Sequence, residues 1–554
     1  MFYGKSKRMI AASLLALAVV TAGCSSAKPE AAAPKDSAAA GTTTAASKEP
    51  HADQLKIAVP ADVGPLNLYL NSGNEGLLEL VYDKLFAPSP FVKDPQPWLA
   101  ESAKQLDDLN WVVKLRQGIA WQDGKPFTAD DVKFTFDYYR DGPSNRYTHH
   151  VSEVPSIKTI TAEDASTVKF TCAYACPTLA SITMADLPIL PKHIWEKVEN
   201  PRKFTDLPIG TGPYKLVEYK ADQYYRFEAN PNYFQGKPLV DSLVMPIIKD
   251  PAAMFNALRS GEVDAAGKGL PPELLETFKK LPNMKVVNTS DMTLVELRVN
   301  YEKAPFNQPE FRQALSYAVD RKSINDTVML GQAKPGLQGY PHPDSPWTNP
   351  NLSTPFDLAK AKELLDKLGY TDKNGDSVRE DANGQPLELN LKAPTTEPTW
   401  IRTAELLKDQ FAQAGIKVTV EVLDSATIST LLQSRKFDMY MNNIVPHGVA
   451  DPDQFVMSHR SGYLWTKGLP YPEMDALTDK WMKEPSVEKR KQISFEMQTL
   501  FNKQPTSIVM YYPKENYAFR SDKYDNWLES PGFGIVEKLS FLPASARKAA
   551  GLAK

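Results

Sequence analysis

Three cysteines among 554 residues are too few for a disulfide scaffold or a zinc-ribbon array. Glycine is sparse, 28 against 45 prolines, so the chain has many rigid turns and few flexible ones. Neither sign of charge dominates: 64 Lys and Arg face 67 Asp and Glu, a net charge of −3, which leaves no basic excess to argue for nucleic acid. After the first two dozen residues no hydrophobic run approaches the length of a membrane span, so a multi-span membrane protein is excluded. Catalytic signatures are missing as well. The sequence has no GxSxG, HExxH, GxxxxGK[ST] or strand-borne GxGxxG motif. His149 and His150 are adjacent, would face opposite ways in a strand, and read as a solvated or loop pair. The chain does not read as an enzyme.

What is present begins with an address. Residues 1–23 carry Lys5, Lys7 and Arg8, then an apolar stretch from Met9 to Val20, then small residues; this is the pattern of a secretory signal. Ala22 and Gly23 before Cys24 resemble a bacterial lipobox, with Thr21 where an aliphatic residue is usual. Cys24 is therefore the expected lipidated residue of the mature chain, ordinary secretion being the alternative. Its acyl chains would hold the protein at a membrane surface. Removing residues 1–23 takes away those three positive charges and no negative one, moving the net charge from −3 to −6. Residues 24–51 contain no aromatic or large aliphatic side chain before His51, so they cannot bury a core and read as a disordered tether.

From Leu55 onward helix and strand patterns mix. Strands are expected within 55–60, 110–121 and 242–248. Thr128 with Asp131 marks a helix start, with Val132, Phe136 and Tyr139 on one face. A helix over 307–325 buries Phe311, Leu315, Ala318 and Val319, and two more, 357–368 and 400–414, end at Gly369 and Gly415. Residues 387–394, 400–414 and 416–423 read as strand–helix–strand, which supports an α/β architecture.

Two local features stand apart. Cys172 and Cys176, in FTCAYACP, read as a short local disulfide, two free thiols being the alternative. In TDKNGDSVREDANG (371–384), Asp372, Asn374, Asp376 and Glu380 are spaced as in a calcium loop. Ser377 stands where such a loop wants glycine and Asn383 where it wants glutamate. A polar turn ahead of the strand at Leu387 explains the stretch equally well.

Five blocks in order resemble the family 5 extracellular solute-binding proteins, the peptide- and nickel-type receptors of bacterial ABC importers. They are WQDGKPFTADDVKFTFDYYRD (121–141), GTGPYKLVEY with NPNYFQGKP (210–238), FNALRSGEVD (255–264), VNYEKAPFNQPEFRQALSYAVDR (299–321) and KAKELLDKLGY (360–370). The resemblance implies a bilobed, periplasmic-binding-protein-like (Venus flytrap) α/β fold of the large peptide-receptor type. Lobe I would comprise 52–292 plus 508–554, with an extra subdomain near 80–185, and lobe II would be 293–507. A small solute, peptide foremost, would be captured between the lobes and passed to a permease and ATPase pair, by a monomer tethered outside the cytoplasm. Nickel chelates and oligosaccharides are alternative ligands. A chemosensory or chaperone-like binding protein without an importer is the alternative of another class.

In peptide-binding members a strand followed by an acidic loop supplies an aspartate for the peptide ammonium. The matching stretch is 439–455, where that position is Gly448 and Asp451 lies nearby. The expected ligand-facing residues are Asn442, Asn443, Val445, His447 and Asp451, then Tyr463 and Trp465, with Trp400 and Arg402 at the head of a helix. No cofactor is expected, with calcium at Asp372, Asn374, Asp376 and Glu380 as the alternative.

Overall fold

A computed structural model describes residues 49–69, 75–87, 95–145, 147–152, 156–288, 292–444, 453–463, 466–528 and 534–552. The expected signal, Cys24 and most of the tether lie outside these residues. No helix among the described residues is long and apolar enough to cross a membrane.

Three sheets organise the described residues. The first has seven strands in the order Met284–Asn288, Asn516–Arg520, Ala265–Ala266, Ala52–Ala58, Val240–Pro246, Tyr224–Ala229, Tyr214–Lys220. The second has six, in the order Ala333–Pro335, Ile508–Pro513, Leu294–Val299, Met439–Ile444, Glu388–Pro394, Lys417–Leu423. Four antiparallel strands between Ala100 and Cys172 make the third, on which the helix Ala129–Asp141 packs through Phe136 and Phe170. The apolar interior divides accordingly. One core joins the first and third sheets, and a separate one, from Leu294 to Tyr512, fills the second. Two cores of this kind make two lobes.

One boundary differs from the sequence expectation. The strand Ile508–Pro513, expected in the first lobe, pairs antiparallel with Leu294–Val299 in the second. The chain crosses only afterwards, through Lys514 and Glu515, into Asn516–Arg520 of the first sheet. All six residues of Ile508–Pro513 are buried, so no alternation of polar and apolar side chains marked which sheet it joins.

The local signals act as their chemistry dictates. The Asp131 carboxylate accepts the Thr128 backbone N–H at 2.9 Å, fixing the start of the helix Ala129–Asp141. Asp250 caps Pro251–Ser260 by accepting from the Ala253 N–H at 2.7 Å. That helix stops at Gly261, with φ of 81°, where a Cβ would lie 2.0 Å from Arg520 Nη1. The stretch expected as one helix over 307–325 is two, Pro309–Ala318 and Arg321–Thr327. Asp320 interrupts it by capping the second, accepting from the Ser323 N–H at 2.9 Å. Cys172 and Cys176 are joined in a disulfide. The loop they close meets the second lobe: Arg490, buried over the Trp481 ring at 4.3 Å, donates to Ala175 O at 3.0 Å.

His150, read as solvated, is instead fully buried with Nε2 3.2 Å from Asp186. Two further histidines are buried in the second lobe. His459 sits among the rings of Tyr340, Phe455 and Phe501, its Nδ1–H donating to Phe455 O at 2.8 Å. Burial lowers His459 to about 3 and His342 to about 4. Each then contributes stability that is complete above about pH 6.5, the unfolded value, and lost as pH falls toward the folded one, by about 1.4 kcal/mol per pH unit. The His459→Gln variant should therefore show a shallower loss of urea stability between about pH 6.5 and 5, by that slope. An unchanged slope would mean that His459 carries its proton when folded.

Candidate functional site

A cavity of about 310 Å³ lies between the two large sheets, at the low end of the range for small-molecule sites, roughly 300–1,000 Å³. Its back wall is one face of the second sheet. Val295 is paired with Asn443 on one neighbouring strand and with Tyr511 on the other, and all three line the cavity. Side chains alternate along a strand, so the residues beside them point away. Glu296 and Asn442 are such a pair. Asn442 Nδ2 donates to Glu296 Oε1 at 2.9 Å, and the same carboxylate accepts from Arg298 Nε at 2.6 Å and from the Ser507 hydroxyl. Glu296 is fully buried, and these donors hold its charge in the interior of the second lobe.

Tyr511 deserves its place in the wall for a chemical reason. It is 1% exposed, and its hydroxyl, beside Thr403, has no hydrogen-bond partner of normal geometry. A buried polar group in that state is satisfied by a ligand or by water. Burial raises its pKa, so the hydroxyl keeps its proton and can donate.

The first lobe supplies the run Gly267–Pro272, which follows the short strand Ala265–Ala266. Gly269 permits a close approach: a Cβ there would lie 1.7 Å from Glu515 Oε2, on the segment that crosses between the lobes. Opposite this run the helix Pro398–Gln413 presents its N-terminus, with Glu397 to Trp400 lining the cavity. Lys268 Nζ meets Glu397 Oε1 at 2.6 Å, with side chains 18% and 31% exposed. A carboxylate at a helix N-terminus is favoured by the helix dipole as well as by the lysine. One turn further, the Arg402 guanidinium takes both Glu273 oxygens at 3.1 Å. That pair is more exposed and worth at most about 1 kcal/mol. Two ion pairs thus join the lobes across the cleft.

Of the residues expected to face a ligand, the structure brings Trp400 and Asn443 together in the cavity. Asn442 is turned into the second lobe by strand alternation, and Arg402 bonds to the opposite lobe. Tyr463 packs against the second core. Val445, His447, Asp451 and Trp465 lie outside the described residues. Lys268, Glu397, Tyr511 and Glu515 went unnoticed in the sequence. The GKGLPP run (267–272) and a glutamate directly before a helix-opening proline were the available signals; Tyr511, within a wholly apolar-looking strand, offered none.

The family model of bacterial extracellular solute-binding proteins, family 5 Middle, matches residues 94–466. The oligopeptide-binding protein AppA of Bacillus subtilis is 30% identical over 445 residues, covering 76% of this chain and 78% of that protein. Its structure with a nonapeptide superposes with a TM-score of 0.78 at 23% identity, over 90% of this chain and 100% of that one. The nickel-binding periplasmic protein of Escherichia coli is 28% identical over 424 residues, 74% and 78% of the two chains. The structure of NikZ from Campylobacter jejuni in complex with Ni(L-His) gives a TM-score of 0.77 at 26% identity, over 85% and 94%. A family match across both lobes, together with a cleft between two α/β cores, leads to one conclusion: the chain belongs to family 5 of the bacterial extracellular solute-binding proteins.

Proposed function

We propose that this chain is the membrane-tethered receptor of an ABC importer and that its ligand is a short peptide. The observation that carries the ligand class is the Lys268–Glu397 pair spanning the cavity. A peptide brings an ammonium and a carboxylate of its own. It can exchange the pair's mutual contact for two complementary ones without stranding either charge, which a neutral ligand cannot do. Asn443 and the Tyr511 hydroxyl supply polar partners for the peptide backbone, and Trp400 an apolar wall. The similarity to AppA, whose structure holds a nonapeptide, supports this reading. A nickel–amino-acid chelate is the second reading, favoured by the similarity to NikZ and to the Escherichia coli nickel-binding protein. In both readings the lobes close on the ligand by a hinge, and closure is driven by contacts made only in the closed state.

The deciding experiment combines native mass spectrometry of co-purified ligand with thermal-shift measurements on peptides, nickel–histidine and oligosaccharides. A peptide at about 100 times its Kd should add about 2.7 kcal/mol, a rise of several degrees in Tm. Stabilisation by nickel–histidine alone would replace peptide with chelate, and no response to any class would overturn the receptor reading. Tethering rests on the lipobox at Cys24, and Cys24→Ala should move the protein from the membrane fraction to the soluble one.

A further inference from the structure

Outside the cleft, the loop between the helix Leu358–Lys367 and the strand Glu388–Pro394 gathers three carboxylates. Asp372, Asp376 and Glu380 each offer an oxygen, and these oxygens lie within 4.8 Å of one another. Among the described residues no lysine or arginine forms an ion pair with any of them. Lys373 Nζ donates to Asp381 O, Arg379 is spent on Asp366, Tyr370 O and Ala414 O, and Lys417 pairs with Glu388. Neutral donors partly offset the three like charges: Asp372 accepts the Gly375 and Ser377 N–H groups, Asp376 accepts the Val378 N–H and Asn374 Nδ2, and among the described residues no cation touches any of the three carboxylates.

Glu380 makes the cluster more than a solvated acidic turn. It is 4% exposed. Oε2 accepts the Lys373 N–H at 2.7 Å, while Oε1 is buried without a hydrogen-bond partner, on a carboxylate that contributes an oxygen to the group with the two aspartates. A buried carboxylate oxygen left in this state needs a cation or a donor.

We propose that Asp372, Asn374, Asp376 and Glu380 bind a calcium ion. The three carboxylates and one amide are hard oxygen ligands, which calcium prefers, and the cluster holds no nitrogen or sulfur ligand to favour zinc. Asp372, Asn374 and Asp376 occupy the first, third and fifth places of a calcium loop, and the Val378 carbonyl falls at the seventh, from which such loops give a main-chain oxygen. The sixth place needs a sharp turn usually made by glycine. Here Ser377 makes it, with φ of 73°, so the turn exists without the glycine. Glutamate is absent from the twelfth place, and the buried Glu380 at the ninth takes over its part. The loop stands ahead of Glu388, whereas the cleft residues Glu397 and Trp400 follow the strand's other end, roughly 20 Å away. Calcium here braces the second lobe and leaves ligand affinity unchanged.

The test uses the whole protein purified in detergent and stripped with EGTA, titrated with calcium chloride by calorimetry and followed by thermal unfolding. One ion per chain should bind with a Kd of about 10⁻⁴–10⁻³ M, as in extracellular calcium modules, and raise Tm by a few degrees. Glu380→Gln should weaken binding at least about tenfold and abolish that rise. Asp376→Asn, at an exposed position, should do the same if the first variant fails to fold. No heat and no shift up to about 10 mM calcium, an equal response to magnesium, or binding untouched by both substitutions would overturn the site.

Discussion

Lys538→Met is expected to destabilise the protein by about 3–5 kcal/mol, the usual cost of stripping one partner from a buried ion pair. Lys538 and Asp83 are both fully buried and meet at 2.7 Å. Asp83 also accepts from Trp98 Nε1 and the Tyr233 hydroxyl at 2.9 Å and from the Thr211 hydroxyl at 3.0 Å. These neutral donors satisfy its lone pairs and leave its charge in place. Methionine keeps the apolar stem of lysine, so the loss isolates the charge from the packing. Urea unfolding at neutral pH measures it. The double variant Asp83→Asn, Lys538→Met should recover a large part of the loss, because both charges then go together. A single variant within about 1 kcal/mol of the parent would show that the pair does not compensate charge in the interior.

The second large effect concerns the cleft. Trp400→Ala should weaken ligand binding by about 2 kcal/mol, roughly thirtyfold, as removal of a central aromatic contact does. The ring is half-buried at the head of its helix, so folding stability should fall far less than for a core tryptophan such as Trp481, which is fully buried. Calorimetry with the ligand that mass spectrometry and thermal shift single out gives the affinity, and urea unfolding gives the stability. Trp400→Phe, which retains an apolar ring, should restore most of the affinity. An unchanged Kd accompanied by a large loss of stability would return Trp400 to the hydrophobic core and remove it from the binding surface.

Trp400 and Asn443 were legible in the sequence, while their partners were not, and the reason is the range over which each signal acts. The helix start at Asp131 is set by a contact three residues away and was readable for that reason; Asp320 caps over the same range, but the apolar stripe running through 307–325 concealed the break it makes. Asn442 and Asn443 differ only in which face of a strand they occupy, and that parity depends on the pairing Val295–Asn443, which no local pattern fixes. Lys268 and Glu397 are 129 positions apart and become neighbours only once both lobes exist. The same applies to the strand Ile508–Pro513. Its composition says that it is buried, and only its ladder to Leu294–Val299 says where. The fold class was readable because five local blocks agree with one family; the cavity was not, because it is made of residues from separate elements.

The late passage of the chain from Ile508–Pro513 to Asn516–Arg520 bears on how the protein is made. The first of these strands lies inside the second sheet, between Ala333–Pro335 and Leu294–Val299, and the other inside the first, between Met284–Asn288 and Ala265–Ala266. Neither sheet is continuous until this one stretch arrives, and Asp83 has no cation until Lys538 follows. For a protein that works outside the cytoplasm, nascent chains therefore cannot complete either lobe before synthesis is nearly finished. A chain cut short before Asn516 would leave an open sheet edge, a template for pairing with another chain.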